Sequence, residues 1–465
     1  MLTNTDFVAN GQPWPPKDED EAARLKEHAF MRQVYNGIHE KIFPQYISYL
    51  ADAPRDAKKQ KIILDWPELA TDSYLNLLFG EDIEIDAGRE DLPELPNDQA
   101  FIDFSRYGIG LYEVSDVGIQ ALNPENCYIV VEQDNIQKQK AFVFFHVFKR
   151  TEENKEREYV KFTIHTPGQI QHAVYSISGT PDFQGTVRGQ TKLSGPLDLS
   201  DFPAYAELDV DGQGIQKPIE DMLVVVVQNK LSSERYYGRS DYKPSVVSLI
   251  ESLEMSFAQR DEVLAKFTSP TPVVPESATV FNHSKQEWEY KSGQAIIIAP
   301  GESTPSLMVW QAELGAVERA IEQKMDQLLQ MLQLSRVLLA GQGQGTAESG
   351  TALRIRLIPT LSKVSKYARE AEKAIPKVLN LWSQLHPPEI PAKNITVRFQ
   401  DGIPEDPVET TQTCSLAVAG GFMSVEKAVS QCQDLPLDSP ELAEEVARIR
   451  ARPEPDVPMD DDLNA

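Results

Sequence analysis

The sequence predicts an α+β fold in which a mixed α/β region comes first and long helices follow. Several segments between residues 110 and 177 are rich in Val, Ile, Phe and Tyr and are separated by polar, Pro or Gly turns, which is typical of an antiparallel sheet. Beyond residue 238, apolar residues recur three and four positions apart, the spacing of amphipathic helices. With 465 residues, the chain is long enough to bury more than one core.

The N-terminal region begins with helices. Residues 18–49 have helical spacing, and their acidic start suits the positive end of a helix dipole. A second helix is predicted over 66–79, with Gly80 as its C-terminal cap. An unbroken apolar run at 223–227 predicts a strand that is buried on both faces. The segments predicted to form the antiparallel sheet are 110–117, 127–132, 141–149, 158–165 and 172–177.

Two long helices with a small β unit between them are predicted next. The first spans 238–267, about 40 Å long, with Ser240 or Asp241 as its cap and Pro244 in its first turn. The second spans 313–335. The intervening unit has predicted strands at 287–290 and 295–298. The apolar positions expected to pack in this helical hairpin are Val247, Ile250, Leu253, Phe257, Leu314, Val317, Ile321 and Leu328.

A third long helix is predicted over 350–385, and Pro359 and Pro376 inside it predict a kink. A strand at 394–400, one or two short helices and a tail that is disordered from Arg452 complete the chain. The third helix carries a basic cluster of Arg354, Arg356, Lys363, Lys366, Arg369 and Lys373. This cluster is either a solvated face with helical ion pairs, such as Glu370 with Lys366 or Lys373, or a surface that meets phosphates or an acidic neighbouring subunit.

Composition restricts the function classes. A net charge of -26 argues against tight, sequence-independent DNA binding over the whole surface, and solubility explains the acidity equally well. The three cysteines, Cys127, Cys414 and Cys432, form neither a disulfide framework nor a zinc motif, so a reducing compartment fits. The first 16 residues do not resemble a signal peptide, and the most apolar run is far shorter than the roughly 20 residues that cross a bilayer. We expect a soluble intracellular protein.

The sequence predicts no catalytic residue, no metal site and no cofactor. His39-Glu40 begins like a zinc-protease motif, but Phe43 occupies the position of the second histidine. The glycines 341, 343 and 345 follow a helix rather than a strand, and no Gly-Lys-Ser/Thr comes after them. A flexible loop between two helices is therefore favoured over a phosphate-binding loop.

Several short motifs follow one another in a specific order. They are Gly80-Glu81 after a helix, Val-Val-Val-Val-Gln-Asn at 224–229, Tyr-Gly-Arg-Ser-Asp at 237–241, Ser-Gly-Thr-Ala-Leu at 349–353, the strand 395–399 running into Asp-Gly-Ile-Pro-Glu-Asp at 401–406, and Gly-Gly-Phe-Met-Ser at 420–424. This order resembles the portal proteins of tailed bacteriophages, of the siphophage type. The resemblance extends over about residues 25–446.

The resemblance implies a portal fold with a mixed α/β wing, two stem helices, a small clip, a long kinked wing helix and a short helical crown. It assigns 1–237 to the wing, 238–267 and 313–335 to the stem, 268–312 to the clip, 336–349 to a tunnel loop, 350–407 to the wing helix and return strand, and 408–465 to the crown and an acidic tail. The residues it places nearest to DNA are Arg336, Gly341, Gln342, Gly343, Gln344, Gly345 and Arg354.

The function that the resemblance implies is structural. Portal subunits form a ring, usually of twelve, at one capsid vertex, and double-stranded DNA is packaged and ejected through it. The expected partners are further copies of the chain, terminase, a head-tail adaptor, and the major capsid and scaffold proteins, with no membrane. The chain would be assembled in the host cytoplasm, reside in the virion and have no enzymatic activity, because the ATPase of packaging belongs to terminase.

Two other functions remain open from the sequence. One is a cellular scaffold with a helical hairpin arm, which would form no closed ring. The other is a nucleotide-dependent enzyme that uses the glycine loop, which binding of ATP or NAD would support.

Overall fold

The computed structural model describes residues 1–51, 61–81, 83–87, 92–152, 155–177, 191–203, 205, 208, 210–211, 214–268, 271–273, 279–282, 287–290, 301, 306–308, 314–339, 350–386, 395–399, 407–433, 435 and 439–451. The chain divides into two compact units. The first comprises Met1–Leu334 and Lys363–Gln400, and the second comprises Ser335–Ser362 and Asp401–Ala465. The predicted α+β class is confirmed.

The helices of the described residues are α1 (Glu19–Tyr35), α2 (Pro44–Ala51), α3 (Trp66–Phe79), α4 (Asn97–Tyr107), α5 (Pro244–Thr268), α6 (Leu314–Leu332), α7 (Gly350–Leu385), α8 (Pro407–Ala419), α9 (Val425–Gln433) and α10 (Pro440–Arg450). Asp18 caps α1 by accepting the N–H of Glu21 at 3.0 Å. The predicted bounds of α3 and α7 are confirmed. Helix α4 was not predicted, although its buried positions Ala100, Phe101, Phe104 and Tyr107 have helical spacing.

The strands are β1 (Pro13–Trp14), β2 (Glu84–Asp86), β3 (Ile109–Ser115), β4 (Gly118–Ala121), β5 (Cys127–Val131), β6 (Gln139–Glu152), β7 (Lys155–Thr166), β8 (Gln169–Ile177), β9 (Thr191–Leu197), β10 (Ile215–Gln216), β11 (Val224–Gln228), β12 (Thr271–Val273), β13 (Thr279–Asn282), β14 (Glu287–Tyr290), β15 (Ser306–Met308) and β16 (Thr396–Arg398). A seven-stranded antiparallel sheet has the order β1-β9-β8-β7-β6-β5, and β10 pairs with β8. Its core includes Trp14, Val143, Phe162 and Tyr175.

The first predicted strand belongs to a different sheet from the others. The segment predicted at 110–117 forms β3, which lies between β11 and β4 in a three-stranded antiparallel sheet. Gly110 permits this position, because a Cβ there would come within 2.2 Å of the carbonyl oxygen of Ala100 in α4. Close packing on α4, which the sequence pattern did not reveal, therefore separates β3 from the larger sheet.

The long helices match the sequence prediction with two differences. Helix α5 begins at Pro244 rather than directly after Ser240 or Asp241, and α6 ends at Leu332 rather than 335. At the end of α6, Gln333 adopts a left-handed φ of 59°. Helix α7 continues without a break through both prolines, and its kink stays a prediction.

The remaining elements are short. Strand β14 confirms the strand predicted at 287–290 and pairs with β13, whereas 295–298 lies outside the described residues. Strand β16 confirms the last predicted strand and pairs with β2. Three C-terminal helices, α8 to α10, replace the one or two that were predicted. Among the described residues, no helix has the length and apolar character needed to cross a membrane.

Candidate functional site

Helices α5 and α6 pack against each other, and we call this pair the stem hairpin. The ammonium of Lys324 on α6 donates to the hydroxyl of Ser256 on α5 at 2.7 Å. The side chains of Val247, Ile250, Leu253, Ile321 and Leu328 are buried, Phe257 is half-buried, Val317 is exposed, and the side chain of Leu314 lies outside the described residues. The apolar stripe is thus covered over most, but not all, of its length.

Among the described side chains of these long helices, five apolar ones remain exposed. They are Leu264, Val317 and Met331 on the stem hairpin, and Ile355 and Ile358 on α7. Ile355 and Ile358 are 61% and 57% exposed and lie three positions apart, so they share one side of the helix. Neighbouring apolar side chains that protrude in this way commonly mark a protein–protein contact.

The turn that leads into α5 is built by close backbone contacts. A Cβ at Gly238 would come within 2.0 Å of the carbonyl oxygen of Gly108, and Gly108 itself has a left-handed φ of +83°. The carbonyl of Gly108 accepts the N–H of Asn229 at 2.9 Å, and the carbonyl of Asn229 accepts the N–H of Arg239 at 2.7 Å. Only glycine fits at Gly238, which explains the glycine of the Tyr-Gly-Arg-Ser-Asp motif.

Asp241, the last residue of that motif, does not cap α5 as predicted. It lies three residues before the helix begins, and its buried carboxylate accepts hydrogen bonds from the ammonium groups of Lys363 and Lys230 and from the hydroxyl of Tyr367. Asn229 adds a further donor at 3.0 Å. We call these five residues the Asp241 cluster. It joins the start of the stem hairpin to α7.

Charge balance in the Asp241 cluster favours the ionised carboxylate. Burial by itself would raise the pKa of Asp241, but the positive charges of Lys363 and Lys230 more than offset this and hold the pKa well below its usual range. Burial lowers the pKa of Lys363 to about 8, and the attraction of Asp241 opposes that shift. Lys363 is therefore an inward-facing cation, so its prediction as part of a surface cluster is wrong.

A second set of contacts attaches α5 to the N-terminal helices. Glu251 accepts the backbone N–H of Gln45 at 2.7 Å, and Glu254 accepts that of Leu64 at 2.9 Å. His39 Nδ1 lies 2.5 Å from the carboxylate of Glu254, and its Nε2 lies 2.8 Å from the carbonyl oxygen of Val34. Both ring nitrogens face acceptor oxygens, which requires the protonated imidazolium.

The pKa of His39 agrees with that protonation state. Burial by itself lowers the pKa of His39. The hydrogen bond with Glu254 and the attraction of its charge raise this pKa by more than burial lowers it, so the net shift is upward. His39 thus has a structural contact with Glu254. Among the described residues, no group of three or more His, Cys, Asp or Glu is arranged to hold a metal ion.

Of the predicted DNA-facing residues, the structure describes Arg336 and Arg354, both in the second unit. Arg336 lies in a 3₁₀ turn, Arg336–Leu338, and Arg354 is exposed on the first turns of α7. Residues 341–345, the glycines and glutamines of the predicted loop, lie outside the described residues. The start of the loop is fixed to α7, because Ser335 donates its N–H to Thr360 at 2.8 Å and its hydroxyl to the carbonyl of Arg356 at 2.9 Å.

The role of Lys363 and Tyr367 in the Asp241 cluster was missed from the sequence. They lie four positions apart, on the same side of α7 as the apolar residues Val364, Ala371 and Ile375. A lysine within an otherwise apolar stripe indicates a buried ion pair, since an unpaired buried ammonium is costly. That signal was present, but the sequence could not identify the partner 122 residues away.

A comparison with known protein families finds a match to the C-terminal part of the chain. A family model described as "Phage portal protein, SPP1 Gp6-like" matches residues 311–458, which include α6 to α10. This part of the chain is similar to the phage portal family, and the match confirms the resemblance that the motifs indicated. The family is structural and non-catalytic, and its members reside in the virion. No curated protein matches the chain.

Proposed function

We propose that this chain is the portal subunit of a tailed bacteriophage and assembles into a closed ring at one capsid vertex, usually of twelve copies in the family it resembles. Double-stranded DNA passes through the ring during packaging and ejection. The ring docks terminase and then a head-tail adaptor. The chain has no catalytic role of its own.

One observation carries the proposal: the family match and the order of elements agree. Helix α6 is followed by the loop that begins at Arg336 and then by α7, and the portal match covers this series from residue 311 onward. The match does not include α5, but the Asp241 cluster attaches the start of α5 to α7. The start of the hairpin is thus anchored to a helix that the match includes.

Exposed apolar side chains support assembly. A single copy leaves Val317 and Met331 of the stem hairpin and Ile355 and Ile358 of α7 in water. Side-by-side copies in a ring would cover them, and burying apolar area is the main driving force of such contacts.

Electrostatics supports passage of DNA without retention. A net charge of -26 repels a polyanion, whereas proteins that hold DNA show a basic excess. We assign transient phosphate contacts to Arg336 and Arg354, with residues 341–345 nearest to the duplex. Such contacts are few, so the total attraction to phosphates is weak and does not stop movement.

The first experiment is a mass measurement by light scattering on the purified chain, with negative-stain images of the same sample. A particle of about a dozen copies with a central hole is the expected result. A chain that stays monomeric or dimeric, even when it is produced together with the capsid and scaffold proteins of its phage, would refute the ring.

A further inference from the structure

One side of α7 carries a row of four cationic side chains, which we call the basic stripe. Its members are Lys366, Arg369, Lys373 and Lys377, all exposed. They are separated by three or four positions, so they share one helix face over about 16 Å. Within the stripe, Glu370 pairs with Lys373 at 2.7 Å. The stripe is a local reversal of charge in a chain whose net charge is -26.

An acidic surface of similar size lies on α3 and the start of α4. Asp65, Glu68 and Asp72 are exposed and spaced by three and four positions, and exposed Asp98 lies beside them. Burial and repulsion by Asp98 raise the pKa of Asp72. We call these four residues the acidic face. Among the described residues, none of the four forms an ion pair with a cationic side chain.

The two charged surfaces lie in the first unit but point in different directions. Helices α3 and α7 meet at Tyr74 and Tyr367, whose ring centroids are 5.8 Å apart. At about 100° per residue, Asp72 lies roughly 160° around α3 from Tyr74, and Lys373 lies roughly 120° around α7 from Tyr367. Both surfaces therefore face away from the place where the helices meet, and they do not pair with each other within one copy.

We propose that the basic stripe of one copy docks on the acidic face of the next copy. This inference rests on the ring proposed above and names two of the surfaces that join in it. Different surfaces of the same chain make a head-to-tail contact, and head-to-tail contacts repeated by rotation close into a ring. Charge complementarity of this kind sets the register and speeds association. The exposed Leu69, within the acidic face, supplies apolar area at the contact.

Charge reversal tests the pairing. Two variants, R369E/K373E and E68K/D72K, each place like charges opposite each other, and the combination of all four substitutions restores opposite charges with the signs exchanged. We expect each double variant to associate about tenfold more weakly per interface, and the combined variant to recover the wild-type mass in light scattering. Raising the salt concentration should weaken the wild-type assembly in the same way.

Two controls separate assembly from folding. All four side chains are exposed, so the circular dichroism spectrum and the melting temperature of dissociated subunits should not change. Lys192→Glu reverses the charge of an exposed lysine in β9, a residue that belongs to neither surface, and should leave assembly unchanged.

The possible outcomes distinguish this inference from the ring itself. Double variants that form rings like the wild type would overturn the pairing and leave the ring standing. Loss of binding to a labelled DNA duplex by R369E/K373E, with assembly unchanged, would overturn it in favour of a phosphate-facing stripe. A wild-type chain that never assembles with its capsid and scaffold proteins would overturn both proposals.

Discussion

Replacing Asp241 with asparagine should destabilise the first unit strongly. Asp241→Asn keeps the shape of the side chain but removes the negative charge that faces Lys363 and Lys230. The side chain of Lys363 is only 4% exposed and cannot turn to water, whereas that of Lys230 is 35% exposed and can. Breaking a buried pair by removal of one partner costs about 3–5 kcal/mol, and here Lys363 accounts for most of it.

That cost should lower the melting temperature by about 6–10 °C, at about 2 °C per kcal/mol for a unit of this size. The assay is calorimetry at pH 7, where Lys363 of the wild type, with a pKa of about 8, is protonated. In the variant the attraction of Asp241 is lost, so burial lowers this pKa further, and folding requires Lys363 either to lose its proton or to bury an unpaired charge. Wild type and variant are compared at one protein concentration and in the same assembly state, because assembly itself raises the melting temperature.

Lys363→Met provides the matched test of cause. Adding it to Asp241→Asn removes the uncompensated ammonium, so the double variant should be less destabilised than the sum of the single variants by about 1–3 kcal/mol. A single variant within about 1 kcal/mol of wild type, or strictly additive single variants, would refute the view that this charge pair holds the base of the stem hairpin.

Three further predictions concern stability and assembly. Gly238→Ala should lower the free energy of unfolding by more than about 2 kcal/mol, because the new Cβ meets backbone atoms. The control is Gly315→Ala in α6, where the new Cβ meets nothing within 4 Å, and it should raise the free energy of unfolding by about 0.5–1 kcal/mol. Equal effects of the two substitutions in denaturant titrations would contradict this. The pKa of His39 is raised on folding, so the stabilisation by its protonated form is complete below about pH 6.5 and is lost as pH rises through the folded-state pKa. His39→Gln should therefore differ most from wild type in unfolding free energy at acidic pH. A difference that does not change with pH would be inconsistent with an imidazolium. Ile355→Ser with Ile358→Ser should leave subunit melting within about 0.5 kcal/mol of wild type but reduce the assembled fraction in light scattering, and unchanged assembly would show that these side chains lie outside the ring contacts.

Local patterns gave the elements of this chain with good accuracy. The bounds of α3 and α7 follow from apolar spacing and from the glycines and prolines around them, and four of the five predicted sheet segments lie in one antiparallel sheet. These features depend on neighbours in sequence, which is the information that a single sequence contains. The family resemblance also came from local motifs, and the match over 311–458 confirms it.

The sequence pattern around a polar residue does not reveal which distant residue becomes its hydrogen-bond or ion-pair partner. Asp241 has the position and chemistry of a helix cap, and nothing nearby in sequence indicates that Lys363 competes for it. The same holds for His39, whose acceptor Glu254 is 215 residues away. At Asp241 a local preference worth about 1 kcal/mol is overridden by a buried ion pair, whose loss would cost several times more.

By itself, the sequence determined the α+β class, the three long helices and the resemblance to portal proteins, because periodicity and motif order are properties of the chain before it folds. Only the tertiary structure decided which charges are inside and which are outside. It buried Lys363 against Asp241, left Lys366, Arg369, Lys373 and Lys377 in water, and turned the acidic side of α3 away from them. The physical reason is that exposure depends on which face of each helix meets another element, and that choice is made by packing between residues far apart in sequence.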